Sequence, residues 1–264
     1  MVSTVYQRNL HLLFRRFLLL SKTKPVTQSN STADNPLKLA ALSSPRPIVL
    51  AITGASGAVY ATRLLCALLA ERIPVHLTIS ESGSAVIRQE LNVDVGAKGE
   101  HLWEAVTAAD RLLQVDDKAA WSGHSAQRQA EQESGVLTIH HYKDFFTPIA
   151  SGSFLTAGMV ICPCSGSTLS GIAHASSQNL IQRAAEVHLK EHRKLIVVPR
   201  ETPLSVLQLE NMQRLARAGV VVLPAAPGWY HGVSGLCDLV DFVVARILDQ
   251  LGIENHAMHR WAAP

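Results

Sequence analysis

The chain has 264 residues, of which 47% are hydrophobic and 17% are charged, a balance typical of a globular chain that can bury a sizeable core. Its formal net charge is +3. The first 46 residues contain seven Lys or Arg and one acidic residue, so the rest of the chain is net negative. Because the body is not basic, we exclude nucleic acid as a partner.

Residues 1–45 have the pattern of a leader sequence. Apolar residues recur at helical spacing between Leu10 and Leu18, with Arg15 and Arg16 among them, and a stretch rich in Ser, Thr and Asn follows. This pattern predicts a mitochondrial transit peptide and a mitochondrial location, with a disordered tail or a secretory signal as the alternatives. No apolar run reaches the roughly 20 residues that cross a bilayer, so we predict no membrane span.

Apolar runs alternate with helical patterns along the rest of the chain. The predicted strands are 48–53, 75–80, 159–162, 195–199 and 220–223, and the predicted helices begin near 57 and cover about 84–91, 167–174, 180–192, 204–218 and 236–251. Continuous Val, Ile and Leu runs indicate strands that are buried on both faces. We therefore predict an α/β, Rossmann-like (flavodoxin-like) three-layer fold with a mostly parallel sheet.

One domain is predicted from 46 to 252, followed by a C-terminal tail, 253–264. Between about 116 and 135 the sequence becomes polar and rich in Gln, Glu and Ala. We interpret this segment as a surface insertion that the core does not need.

The first predicted strand runs into Thr53-Gly54-Ala55-Ser56-Gly57-Ala58, where a helix begins. Unpaired N–H groups and the positive end of the helix dipole make such a turn a phosphate site. The pattern is not a complete GxGxxG, so a tight turn with Ser56 as the helix N-cap is the alternative. Ser80 ends the second strand, where ligands of open α/β sheets gather. These features predict a bound nucleotide.

Five sequence blocks carry a resemblance to a known family. They are GASGAVYATRLL from 54, PCSGSTLSGIA from 163, NLIQRAAEVHLKEHR from 179, PRETPL from 199 and PGWYHG from 227. Through them, the chain after residue 46 resembles the UbiX/Pad-type flavin prenyltransferases.

The resemblance implies an activity and its partners. Reduced FMN would be the bound substrate, and a dimethylallyl group would pass from dimethylallyl phosphate to N5 and C6 of its flavin. The product, prenylated FMN, would serve a UbiD-type decarboxylase of aromatic acids, with ubiquinone synthesis as one candidate setting. The resemblance also implies a homo-oligomer, a dodecamer, with flavin at the subunit interfaces.

The resemblance also assigns residues to ligands. It assigns FMN binding to Gly54, Ala55, Ser56, Ser80, Ser165, Gly166, Ser167, Thr168 and Arg200. It assigns the phosphate of the prenyl donor to Tyr230 and Arg246. The donor must ionise and lose phosphate, and arginine suits that task through bidentate hydrogen bonds.

Four further residues are candidate catalytic groups. Arg183 and Lys190 are seven apart, which places them on one helix face as a basic wall beside the phosphate, or as a solvated face paired with acidic neighbours. Glu201 is our hypothesis for the group that handles the proton lost from C6; with Arg200 it could instead form a surface ion pair. Glu90 matches a family position near the flavin, although a lone helical Glu is often only solvated.

The sequence gives less support to a metal site and to other functions. His188 and His192 are four apart, but an exposed helix face explains them, and the four cysteines lack zinc or disulfide spacing, so no metal is predicted. A flavin-dependent cysteine decarboxylase of the same fold, a decarboxylase of aromatic acids and a non-catalytic flavin-binding regulatory subunit are the competing functions. The first uses a catalytic His and an Asn-containing signature where this chain has PCSGSTLSGIA and PRETPL, and the last needs no second phosphate pocket.

Overall fold

The computed structural model describes residues 45–119, 121–258 and 260. Residues 1–44 of the predicted transit peptide lie outside them, as do 259 and 261–264 of the tail. The transit peptide therefore stays a prediction.

Six strands form one sheet in the described part of the chain. They are β1 (Ile48–Ile52), β2 (Val75–Ile79), β3 (Leu137–His141), β4 (Gly158–Cys164), β5 (Leu195–Pro199) and β6 (Val221–Val222). Their order is β3-β2-β1-β4-β5-β6, and all five pairings are parallel. This is the doubly wound order, in which the chain starts at the centre, builds one half, and crosses over to build the other. The prediction of a Rossmann-like parallel sheet is confirmed.

Helices cover both faces of the sheet. They are α1 (Ala58–Ala70), α2 (Glu81–Leu91), α3 (Leu102–Leu113), α4 (Gly123–Gln132), α5 (Gly166–Ala173), α6 (Leu180–Lys190), α7 (Val206–Arg217) and α8 (Leu236–Leu251). Successive strand residues point to opposite faces. Leu50 therefore joins the core with α1 and α8, whereas Ala51 joins a second core with α5, α6 and α7. No helix of the described residues is both long and apolar enough to cross a membrane.

The polar segment 116–135 contains α4, so the expectation that the core does not need it is wrong. Trp121 is 9% exposed, Ala126 is fully buried, and both belong to the core beside α1. Ser122 caps the helix by accepting a hydrogen bond from Ser125 N at 3.2 Å. Only a narrow strip of small residues faces inward, which explains why the composition is polar.

Candidate functional site

The site forms at the carboxyl edge of the sheet, between β1 and β4, where the order in which strands are added to the sheet reverses. Thr53, 1% exposed, joins the loops that leave these strands. Its Oγ1 donates to Pro163 O at 2.8 Å and accepts from Ser165 N at 2.8 Å, while its N–H also donates to Pro163 O at 3.2 Å. The turn after β1 and the turn after β4 are therefore held as one surface at the place where doubly wound folds bind ligands.

The turn after β1 lies against the start of α2. A Cβ added to Gly54 would lie 2.5 Å from Ser82 Cβ, so only glycine fits there. Ala55 is buried, Ser56 is exposed, and Gly57 has φ 111°, a left-handed conformation that favours glycine. Gly57, with no side chain to offer, is the N-cap of α1. The alternative in which Ser56 caps the helix is therefore wrong.

The N-terminus of α1 is occupied by a carboxylate from the same chain. Glu90 Oε1 and Oε2 each accept from Gly57 N at 3.0 Å, and Oε2 also accepts from Ala58 N at 2.8 Å. The expectation that these two amides are unpaired is wrong, and so is the interpretation of Glu90 as a merely solvated helical residue. A negative charge does sit at this helix N-terminus, as the dipole favours, but it is Glu90.

Ser80, at the end of β2, caps α2. Its Oγ accepts from Gly83 N at 3.0 Å and lies 3.2 Å from Ser82 Oγ. This places its hydroxyl on the same edge as the turn that contains Gly54, because Ser82 contacts that glycine.

The turn after β4 presents hydroxyls and free amides. Ser165 Oγ accepts from Thr168 N at 3.3 Å and lies 3.2 Å from Ser167 Oγ and 3.0 Å from Thr168 Oγ1. Within the described part of the chain, the N–H groups of Gly166 and Ser167, at the start of α5, have no hydrogen-bond partner. This turn therefore offers the unpaired donors that the sequence led us to expect at the first turn.

Arg200 and Glu201 continue this surface beyond β5. Arg200 Nε donates to Ser56 O at 3.1 Å, and Glu201 Oε2 accepts from Gln208 Nε2 at 3.3 Å. Their partners are different groups, so the surface ion pair that we considered for them is not formed. The same Gln208 amide would lie 2.9 Å from a Cβ at Gly166, which connects Glu201 to the turn after β4.

No functional role was predicted from the sequence for three residues at this edge. Thr53 closes the first strand, Gln208 is in a capping box with Ser205, and Tyr60 is in the first turn of α1. The pKa of the Tyr60 phenol is raised above its ordinary value. Burial is the main cause and Cys162 adds to it, whereas the charge of Arg200 partly offsets them. Only Gln208 carried a sequence signal, the Ser-x-x-Gln spacing of a capping box.

Arg183 and Lys190 make their hydrogen bonds to groups outside this surface. Arg183 Nε donates to Ala150 O at 3.2 Å, and Arg183 Nη1 lies 3.4 Å from Glu186 Oε2. Lys190 Nζ donates to Glu191 Oε1 at 2.6 Å at the end of α6, which leads into the amino end of β5. Within one chain both therefore have the acidic neighbours of the solvated-face alternative, and their part in catalysis stays a prediction.

Tyr230 and Arg246 form a third group. The loop after β6 starts at the carboxyl edge, since Ala225 N donates to Pro199 O at 3.0 Å. The Tyr230 ring then meets the Phe242 ring edge-on, with centroids 5.8 Å apart. Arg246 follows Phe242 by one turn of α8, and its guanidinium reaches Asp249, almost one turn further along the same helix.

His188 and Cys164, two of the residues considered as metal ligands, are buried. His188 is 1% exposed, with its Nε2 2.8 Å from Thr156 Oγ1 and its Nδ1 2.7 Å from Ala184 O; its assignment to an exposed face is wrong. Burial raises the pKa of the Cys164 thiol to about 12. In the ranges 45–119 and 121–258, no three His, Cys, Asp or Glu side chains are grouped to hold a metal ion.

The donor set suits an anionic nucleotide. Hydroxyls of Ser165 and Ser167, unpaired amides of α5 and the Arg200 guanidinium all bind phosphate well. At Gly54 the backbone of the turn carries no side chain, because a Cβ there would lie 2.5 Å from Ser82 Cβ. These residues fit FMN.

Comparison with known proteins places this geometry in a family. The Flavoprotein family model matches residues 38–248. The chain is 43% identical over 210 residues to "Flavin prenyltransferase UbiX" of Halalkalibacterium halodurans, covering 80% of this chain and 90% of that protein. It is 44% identical over 220 residues to the protein of the same name from Pseudomonas aeruginosa, covering 83% and 96%.

Solved structures agree. AnUbiX (PadA1), described in complex with FMN and dimethylallyl pyrophosphate, matches with TM-score 0.66 and 32% identity over 83% of this chain and 98% of that one. A dodecameric FMN-dependent UbiX-like decarboxylase from Escherichia coli O157:H7 matches with TM-score 0.65 and 34% identity over 82% and 100%. The chain belongs to the UbiX flavin prenyltransferase family.

Proposed function

We propose that the chain transfers a dimethylallyl group from dimethylallyl phosphate to N5 and C6 of reduced FMN, producing prenylated FMN. The observation that carries the proposal is the carboxyl-edge surface, where Thr53 joins the turns after β1 and β4 and Arg200 reaches Ser56. Relatives named flavin prenyltransferases match over at least nine-tenths of their own length.

Each proposed role follows from the chemistry of the group. Bound reduced FMN supplies the nucleophilic ring positions. The hydroxyls of the Ser165 turn and the Arg200 guanidinium bind and orient it. Tyr230 and Arg246 hold the donor phosphate, and the guanidinium stabilises the charge that develops as this phosphate departs. Glu201, held by Gln208, takes the proton from C6.

Arg183 and Lys190 serve, in this proposal, a site that is completed between copies of the chain. Both are about half-exposed or less and carry an acidic neighbour in cis. A homo-oligomer, a dodecamer like the Escherichia coli relative, would let them approach the phosphate of a neighbouring subunit. Light scattering of the purified chain measures that assembly, and a monomer active in solution would contradict their role.

Mass spectrometry tests the activity. The full chain is incubated anaerobically with reduced FMN and either dimethylallyl phosphate or the diphosphate, and the released flavin is weighed. We expect a flavin heavier by one C5 unit. A parallel incubation with an aromatic acid tests the competing function, because carbon dioxide release without a flavin adduct would favour a decarboxylase.

The destination of the product and of the protein are separate proposals. Prenylated FMN serves a UbiD-type decarboxylase, and adding the reaction mixture to such an apoenzyme should restore its activity.

Residues 1–45 direct the protein to mitochondria, and a fluorescent protein carrying that segment should co-localise with a mitochondrial dye. A diffuse signal would contradict the location.

A further inference from the structure

One carboxylate near the end of α8 gathers two guanidinium groups. Arg246 Nη1 donates to Asp249 Oδ2 at 2.7 Å. Arg260 donates to both carboxylate oxygens, from Nη1 to Oδ2 at 3.0 Å and from Nη2 to Oδ1 at 2.8 Å. A single oxygen atom therefore bridges the two arginines. Asn255, 5% exposed, adds a hydrogen bond from Nδ2 to Oδ1 at 3.1 Å.

The carboxylate of this cluster is mostly buried, whereas its two guanidinium groups are partly exposed to solvent. The Asp249 side chain is 16% exposed, whereas those of Arg246 and Arg260 are 42% and 47% exposed. The hydrogen bonds from Arg260 are the largest influence on the pKa of Asp249, and they lower it. The charge of Arg260, the hydrogen bond from Asn255 and the charge of Arg246 act in the same direction, so together they outweigh burial, which raises this pKa. One anionic carboxylate thus holds two cations, and the guanidinium pair keeps N–H groups for a second anion.

The cluster contains Arg246, one of the two residues proposed to hold the donor phosphate. Arg246 follows Phe242 by one turn, and the Tyr230 ring contacts Phe242. Arg260 is eleven residues beyond Asp249, so the C-terminal segment folds back to bring its guanidinium to the same place. From the sequence, this segment is predicted only as a C-terminal tail.

We infer that Asp249 is a positioning residue for Arg246 and that Arg260 is a second guanidinium ligand of the donor phosphate. The inference rests on the proposed function, which makes Arg246 a phosphate ligand. Asp249 fixes the Nη1 side of Arg246 and so directs its remaining N–H groups. Arg260 contributes a second charge, which matters most for a diphosphate, because a diphosphate carries more negative charge to be neutralised.

Steady-state kinetics with the full chain tests both parts. Asp249→Asn should raise the KM for dimethylallyl phosphate by about tenfold or more, since hydrogen bonds to charged groups are lost, with little change in kcat or in FMN affinity. Asp249→Glu should restore part of the loss, which a purely structural role would not require. Arg260→Ala should raise the KM of the diphosphate by a larger factor than that of the monophosphate.

Controls separate this inference from the proposed function. Glu254→Gln removes a nearby exposed acid that makes none of these hydrogen bonds, and it should leave both KM values unchanged. Because Asp249→Asn could unfold the tail, the exposed Arg260→Ala decides the matter if that variant is unstable. Normal adduct formation with unchanged KM values in all variants would overturn the inference and leave the function standing.

Calorimetry tests the inference even if the chain has no catalytic activity. If the wild type makes no adduct, the proposed function fails, and dimethylallyl phosphate titrated into the FMN-loaded chain still measures the site. Weaker binding by Asp249→Asn and Arg260→Ala would support the inference. Equal binding by the variants, or no binding by the wild type, would overturn it.

Discussion

Thr53→Val should loosen the surface between the turns after β1 and β4. The substitution keeps the shape of the buried side chain and removes both hydrogen bonds of Oγ1, to Pro163 O and from Ser165 N, each 2.8 Å long. Pro163 O keeps the bond from Thr53 N, but Ser165 N loses its partner. At about 0.5–1.5 kcal/mol for each bond, the free energy of unfolding should fall by about 1–3 kcal/mol. Urea denaturation measures that loss, and fluorescence titration should show weaker FMN binding.

Thr78→Val is the matched control for this experiment. Thr78 is a fully buried threonine one strand away, and among the residues that the structure describes its Oγ1 has no hydrogen-bond partner. Its replacement should leave stability unchanged or raise it, because an unpaired buried hydroxyl disappears. Equal losses of unfolding free energy in the two variants would refute the reasoning, since the hydrogen bonds of Thr53 would then carry no special weight.

Three further predictions concern the core, the pH response and the first turn. Arg63→Met should cost about 3–5 kcal/mol in urea denaturation, because it strands Asp241, which accepts from Arg63 Nε at 2.6 Å; adding Asp241→Leu should recover most of it, and no recovery would contradict the pairing. Burial and, to a smaller extent, His140 lower the pKa of His76 from 6.5 to about 4. As the pH falls from 6.5 to 4 the unfolded chain takes up this proton before the folded chain does, so the free energy of unfolding should fall over that interval. If His76→Gln leaves the pH dependence of the unfolding free energy unchanged, this prediction is wrong. Gly54→Ala should abolish FMN binding in titrations, because its Cβ would lie 2.5 Å from Ser82 Cβ. Adding Ser82→Gly to the same chain should restore FMN binding. Normal FMN binding by Gly54→Ala alone would contradict this, since the turn would then have made room for the extra carbon.

The central strands could be predicted because burial on both faces leaves continuous apolar runs. The edge strand β3, Leu137–His141, escaped prediction because its sequence LTIHH has no such run and all five residues are half-buried. Its His140 instead pairs with His76 across the strands, with a 2.7 Å contact between ring nitrogens. Polar cross-strand pairs of this kind are invisible to hydropathy.

The polar helix α4 escaped for a related reason. Gly123–Gln132 buries only Gly123 and Ala126, so its inward strip is too narrow and too weakly apolar to give a helical period. Gly123 allows the helix to approach α3 closely, because a Cβ at this position would overlap Val106 Cγ1, and that fit depends on the partner surface.

At the site, the sequence located the loops but not their internal partners. The glycines of the first turn and the hydroxyls of the Ser165 turn stand out as motifs. That Glu90, more than thirty residues away in the chain, takes the amides of Gly57 and Ala58 follows only from the packing of α2 beside α1. The bridging of Arg246 and Arg260 by Asp249 likewise depends on how the tail folds back.

The mass of the flavin recovered after anaerobic incubation with reduced FMN and dimethylallyl phosphate tests the central claim most directly, with Arg200→Ala alongside the wild type. We predict one added C5 unit on the flavin from the wild type, and little or none from the variant at FMN concentrations that saturate the wild type. Unmodified flavin from the wild type, with FMN demonstrably bound, would contradict the assignment of this chain as a flavin prenyltransferase.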